Sequence, residues 1–232
     1  MYQELLQKIE ILKNLPEDTL NIIGKSLKTI NYQRGNMIFS EFDIAKGVYF
    51  VKSGVVRLTK GDHTGKEIVV CIKKAGELFA EACLFTEEGT LYPATATMIQ
   101  EGDVLFLKTA DLERELFINP ELGIEIIRYM SYQLRGFTTT LRDIALLDVY
   151  SKTISALDRL AKDFGEKNGY GVNIELPLTI QEFANLIGAR RESVSRVFSK
   201  LRSDNIITIH ERKIVISDWC RFCTMYRMQM FA

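Results

Sequence analysis

Arg191, Glu192 and Arg196, interleaved with Ser195 and followed by Ser199, are the side chains of this sequence best suited to chemistry. A guanidinium donates two parallel hydrogen bonds to O6 and N7 of guanine. A carboxylate accepts from the N4 amine of cytosine, and a serine hydroxyl serves several bases. Such groups read base edges when they project from the first turns of a helix lying in a major groove. The flanking residues supply that helix. Thr179, three residues before Glu182, is a capping box that starts a first helix. Phe183, Ala184 and Ile187 give it an apolar face, and Gly188 ends it where the backbone can take positive φ. Val194, Val197, Phe198 and Leu201, three and four apart, then bury one side of a second helix. Arg191, Glu192, Ser195, Arg196 and Ser199 fall on the other side. Two short helices about a glycine make a helix-turn-helix. Thr179 and Arg190, which open the two helices, complete the expected DNA-facing set on this motif.

The sequence after the second helix predicts a wing. Asp204-Asn205 is a turn signal and Ile206–Ile209 is β-prone. His210-Glu211-Arg212-Lys213 is a polar tip, after which Ile214–Ile216 returns. Arg212 at that tip is expected to lie along a phosphate backbone. The segment Arg191-Glu192-Ser193-Val194-Ser195-Arg196 resembles the recognition helix of the CRP/FNR family of bacterial transcription regulators. In the catabolite activator branch an Arg-Glu pair and a later Arg read the half-site, matching Arg191, Glu192 and Arg196. In the fumarate–nitrate reduction branch the set is Glu, Ser and Arg, matching Glu192, Ser195 and Arg196. Both patterns are satisfied, so the resemblance leaves the branch open.

The 232 residues are 47% hydrophobic, enough for one or two real cores, and carry no formal net charge. That neutrality hides an asymmetry. Residues 1–148 hold 17 Lys and Arg against 21 Asp and Glu, whereas 149–232 hold 13 against 9. The acidic half precedes a basic half that carries the helix-turn-helix. No apolar run approaches the roughly 20 residues of a membrane span. The opening MYQELLQKIEILKNL reads as an amphipathic helix, not a signal peptide. The four cysteines form no secreted disulfide framework, and the expected location is cytoplasmic.

The first half predicts a β-barrel or jelly roll. Strand-like runs occur at Asn36–Phe39, Gly47–Lys52, Val55–Lys60, Glu67–Ile72, Thr95–Ile99 and Asp103–Lys108, after a helical region reaching about Leu27 and between glycine turns. The turns Arg34-Gly35, Ser53-Gly54-Val55-Val56-Arg57-Leu58 and Gly65-Lys66-Glu67 resemble those of the cyclic-nucleotide-binding fold. The expected fold class is therefore α+β. Residues 1–118 form an effector (sensor) domain, 119–147 a dimerisation helix, and 148–232 a winged helix-turn-helix domain. From Asn119 to Leu147 helix formers extend over roughly 28 residues, about 42 Å. Ile127, Met130, Leu134, Phe137, Leu141 and Ile144 mark a heptad seam for a homodimer. A second stripe of Ile126, Tyr129, Gln133 and Thr140 is expected to face a barrel, and Asp148 to cap the next helix.

The same resemblance locates an effector site and shows a departure there. Gly76 to Ala96 matches the family's phosphate-binding cassette, with Glu81 where cyclic-nucleotide members hold a ribose hydroxyl. The arginine and hydroxyl that meet the cyclic phosphate are replaced by Tyr92 and Pro93, and no arginine lies between Gly76 and Lys108. A buried phosphate without a cation costs several kcal/mol, so cyclic AMP is not the expected effector. Expected instead is an uncharged or aromatic molecule, or a redox signal. Its pocket is assigned to Phe79, Glu81, Ala82, Phe85, Leu91, Tyr92, Pro93, Tyr129 and Gln133. The expected partners are double-stranded DNA with an inverted-repeat operator, a second copy of the chain, a small-molecule effector and, for an activator, RNA polymerase, with no membrane. Two alternatives stand beside this: a cyclic-nucleotide-responsive regulatory protein, and a redox sensor using Cys220-Arg221-Phe222-Cys223. That CxxC lacks the further nearby ligand that an iron–sulfur site needs, so neither a cofactor nor a metal is expected. Gly61–Glu67 is one residue short of a P-loop and reads as a hairpin tip holding a solvated His63. His210 falls in a second turn, and no catalytic motif appears.

Overall fold

The computed structural model describes residues 9, 11–13, 16–176, 178–210 and 213–231. It divides into two compact units, Met1–Gly136 and Phe137–Ala232, with the division inside one long helix.

The first unit opens with helix α1 (Glu17–Ser26) and strands β1 (Lys28–Tyr32), β2 (Met37–Phe39), β3 (Gly47–Val51), β4 (Val55–Gly61), β5 (Glu67–Lys74) and β6 (Leu78–Phe79). A 3-10 turn (Glu81–Cys83), β7 (Thr95–Gln100), β8 (Gly102–Lys108) and α2 (Thr109–Ile118) follow. Two antiparallel four-stranded sheets, ordered β1-β8-β3-β6 and β2-β7-β4-β5, pack as a jelly roll. Strand β3 is buried at all five residues because both its faces are covered. Tyr49 and Val51 enter the core with Phe39, Phe79 and Met98, while Val48 and Phe50 meet Leu20, Ile23, Leu112, Leu122 and Ile126. Gly54 turns β3 into β4 at φ +80°, and a Cβ there would sit 2.4 Å from the Gln100 carbonyl oxygen. Only glycine fits.

The expected strands are present with ends shifted by a residue or two. Three elements of this unit escaped the sequence reading: β1, which is mostly exposed, the two-residue β6, and α2.

Helix α3 (Pro120–Leu146) is unbroken over 27 residues. In the first unit Leu122 and Ile126 are buried on it and Tyr129 packs beside them. Ile127 (65% exposed), Leu134 (64%) and Leu141 (67%) face outward with Met130 and Phe137.

The second unit continues through α4 (Val149–Phe164), β9 (Gly165–Asn168), β10 (Gly171–Ile174), α5 (Ile180–Ile187), α6 (Arg191–Ser203), β11 (Ile207–His210), β12 (Lys213–Ile216) and α7 (Trp219–Phe231). Asp148 caps α4, accepting from the Ser151 N–H at 2.7 Å. That bond holds its carboxyl below the usual carboxylate range. The sheet order β11-β12-β10-β9 joins the wing to a hairpin the sequence reading missed, because β9 is wholly polar and exposed. Within this unit Asp143 is 5% exposed and accepts from the Ser155 hydroxyl at 2.6 Å, fixing the last turns of α3 to α4.

Candidate nucleic-acid interface and ligand cleft

Helices α5 and α6 are built as their sequence specifies. Thr179 and Glu182 form a reciprocal capping box, and Gly188 leaves α5 at φ 61° with its N–H donated to the Ala184 carbonyl. Ala184 is fully buried, and Phe183 meets Phe198 edge-on at 4.9 Å, so the helices pack through small and aromatic contacts. Val194, Phe198 and Leu201 are buried on α6, which leaves its other face to solvent.

Arg190, Arg191, Glu192, Arg196 and Ser199 are exposed on that face, and Ser195 is half-buried. Among the described residues, no ion pair or side-chain hydrogen bond occupies Arg190, Arg191, Glu192 or Arg196. These donors and the acceptor are thus unspent, the state a base-reading surface requires. Thr179 is exposed at the start of α5, its hydroxyl engaged with Glu182. Arg212 lies outside the described residues. Lys213, beside it, pairs with Glu175.

The nine residues assigned to an effector pocket do not all come together in one cavity. Phe79 is fully buried between Phe39 and Tyr49, and Tyr92 stacks on Phe39 with ring centroids 3.8 Å apart. The Tyr92 hydroxyl accepts from the Lys46 N–H and donates to the Gly47 carbonyl. The residue standing in the arginine's place is therefore part of the core. Ala82 and Pro93 are exposed, Phe85 (59% exposed) packs edge-on against Phe117, and Leu91 bridges to Ile44.

Tyr129 and Gln133 do line a cleft, of about 460 Å³, whose other walls are Ile11, Lys74, Ala75, Gly76, Glu77, Glu125, Arg128 and Tyr132. The cleft runs between the β5–β6 turn and α3, both in the first unit. Behind it the sequence reading missed a cation. Lys73 is only 2% exposed, and its Nζ donates to the Tyr129 hydroxyl at 2.9 Å and lies 5.2 Å from that ring's centroid. Tyr129 donates in turn to the Leu78 carbonyl. Burial pushes the Glu81 carboxyl up, and Lys73 pulls it back down. In an Ile-Lys-Lys run ending a strand, Lys73 looks solvated. Its register opposite Val56, with Cys71 opposite Leu58, turns it inward instead.

Cys220 and Cys223 lie one turn apart at the start of α7, exposed and half-buried, and burial raises the Cys223 thiol. Burial lifts the thiols of Cys71 and Cys83 to about 11. The Gly61–Glu67 tip is a turn closed by Asp62, which accepts from the backbone N–H groups of Thr64 and Lys66. Among the described residues no cluster has the makings of a metal site, and no helix is long and apolar enough to cross a membrane.

Two family models match the chain: a cyclic nucleotide-binding domain over residues 29–119 and a Crp-like helix-turn-helix domain over residues 151–225. The anaerobic regulatory protein of Bacillus subtilis (strain 168) is 32% identical over 184 residues, covering 79% of this chain and 77% of that protein. The chain belongs to the CRP/FNR family of transcription regulators. A second member, the CRP-like cAMP-activated global transcriptional regulator of Mycobacterium tuberculosis (strain ATCC 25618 / H37Rv), is 25% identical over 93% of this chain and 95% of its own. The solved c-di-GMP-responsive global regulator CLP of Xanthomonas campestris has the same fold, with a TM-score of 0.74 at 24% identity over 87% of this chain and 99% of its own. As a CRP/FNR regulator the chain carries a nucleotide-binding-like sensor unit and a DNA-binding helix-turn-helix.

Proposed function

We propose that this CRP/FNR regulator works in the cytoplasm as a homodimer, reads an inverted-repeat operator with α6, and answers to a small molecule bound in its first unit. The carrying observation is the outer face of α6, where Arg191 and Arg196 are exposed with no partner among the described residues. Arg191, Glu192 and Arg196 contact base edges, Ser195, Ser199, Arg190 and Thr179 contact bases or phosphates, and Arg212 contacts the backbone alongside.

The dimer rests on the outward stripe Ile127, Met130, Leu134, Phe137 and Leu141, whose spacing fits a two-stranded seam. Ile144, also assigned to the seam, is half-buried and packs close to Gly188 in its own unit. Two copies place two recognition helices on one face of DNA, so each half-site is read once. Where the protein activates, RNA polymerase is a further partner.

Cyclic AMP is not the effector in this reading, because Tyr92 is committed to the core and Pro93 offers no N–H. The Cys220–Cys223 pair remains a redox alternative, and its weakness is the raised Cys223 thiol, which is a poorer nucleophile. A randomised-site DNA selection tests the main proposal: the wild type should return an inverted repeat, and Arg191→Ala and Arg196→Ala should each lose preference at one position per half-site. Recovery of unselected sequence by the wild type ends the proposal.

A further inference from the structure

The buried ammonium of Lys73 is poorly satisfied for its position. It has three N–H donors, and among the described residues the one hydrogen-bond acceptor it reaches is a neutral phenol, Tyr129, met through both oxygen and ring, while the Glu81 carboxyl acts on it only through charge. The Tyr129 proton goes to the Leu78 carbonyl, so that phenol is an acceptor to Lys73 and nothing stronger. The nearby carboxylate, Glu81, is half-buried and accepts from its own backbone N–H. A charge removed from water without a full set of partners is costly. Here a cation and an anion, each with unspent capacity, lie behind the Tyr129 wall of a cleft large enough for a small organic molecule.

We infer that Lys73 is the anion-recognising residue of the sensor unit, and that its ligand is a small organic carboxylate carrying a hydroxyl or ammonium donor for Glu81. This rests on the sensor reading of the first unit. The carboxylate takes over the Lys73 donors that the phenol leaves idle, forming the shorter and stronger charge-assisted bonds. The donor beside it goes to Glu81, so charge is balanced on both sides. Tyr129 and Tyr132 offer flat walls for an aromatic side chain on such a ligand. A phosphate is the weaker candidate, since Tyr92 and Pro93 withhold the groups that would share its charge.

Calorimetry on the full chain with L-phenyllactate, L-phenylalanine and L-lactate, each beside its carboxamide, and with cyclic AMP, tests the assignment. At least one carboxylate should bind saturably and its amide about tenfold more weakly, the loss of one charge-assisted hydrogen bond. Lys73→Met should bind acid and amide equally weakly. Where that variant fails to fold, the Lys73 ammonium nitrogen is followed by NMR in the wild type and should shift on adding the carboxylate. Equal affinity for acid and amide overturns the inference, as do an unshifted ammonium, unchanged binding by Lys73→Met, saturable cyclic AMP in place of the carboxylates, or no binding by any probe. Measuring operator affinity in parallel separates the two readings. An amide that binds and alters operator affinity leaves the sensor standing and removes only the carboxylate. If no probe binds and operator affinity is unmoved by added small molecules, the sensor reading falls too.

Discussion

Arg191 and Arg196 differ from the ion-paired arginines of the chain in what surrounds them. Arg142 is locked to Asp143, Arg114 to Asp111 and Arg128 to Glu125, whereas Arg191 and Arg196 are exposed and unspent on α6. Each alanine substitution is therefore expected to cost about 1–3 kcal/mol on the cognate site and to relax one base position. A binding titration on matched and mismatched duplexes reads both effects. Arg212→Ala should instead weaken all sequences alike and make the salt dependence shallower. Thr179→Ala breaks the capping box and should destabilise the second unit by about 0.5–2 kcal/mol in a denaturant melt. Asp148 sets a pH dependence of the same kind. Its folded pKa is lowered by the Ser151 N–H, so its stabilisation is present above the ordinary carboxylate range and fades as pH falls through the folded value. Asp148→Ala should remove that acid-range slope.

At the scale of the element, α3 presents two faces, one packed and one exposed. Leu122, Ile126 and Tyr129 pack on the first unit's core, while Leu134 and Leu141 stay more than half exposed. Leu134→Lys or Leu141→Glu puts charges against each other across a two-fold seam, where unpaired charge is strongly unfavourable. Either should turn a dimer into a monomer by light scattering while leaving the melting of each unit intact. A wild type that scatters as a monomer rejects the seam. The end of the same helix is held by Asp143, and Asp143→Ala strands the Ser155 hydroxyl in a buried site. The cost should be about 1–3 kcal/mol in the second unit.

For the whole molecule, the proposed dimer and its reading helices together set the expected operator. Half-site centres should lie about 34–36 Å apart, one turn of DNA, as two-fold helix-turn-helix dimers require. Footprinting on synthetic operators with altered spacing reads this directly: inserting half a turn should abolish binding, and indifference to spacing contradicts the dimeric reading. Cyclic AMP should give no saturable heat at micromolar concentration. A ligand in the cleft shifts the protein between states only through unequal affinity for them, so its effect on operator affinity should equal the operator's effect on ligand affinity.

The sequence by itself determined the helix-turn-helix. Capping, glycine turn and apolar periodicity act within a few residues, so Thr179, Gly188 and Phe198 take the positions their local chemistry dictates. The long α3 and the glycine-punctuated strands were legible for the same reason. The wing's partner hairpin was not, because β9 is a polar edge with no apolar pattern to announce it. The candidate ligand cleft depended on tertiary structure almost entirely. Aromatic residues such as Phe79 and Tyr92 satisfy a core and a pocket equally well in one dimension, and the stack with Phe39 and Tyr49 assigns them to the core. Lys73 was invisible for the opposite reason. A lysine near a strand end is normally solvated, and only the antiparallel register with Val56 turns its ammonium inward against Tyr129. Side-chain direction in a strand follows alternation, but which face is buried is decided by what the other sheet and helix bring to it.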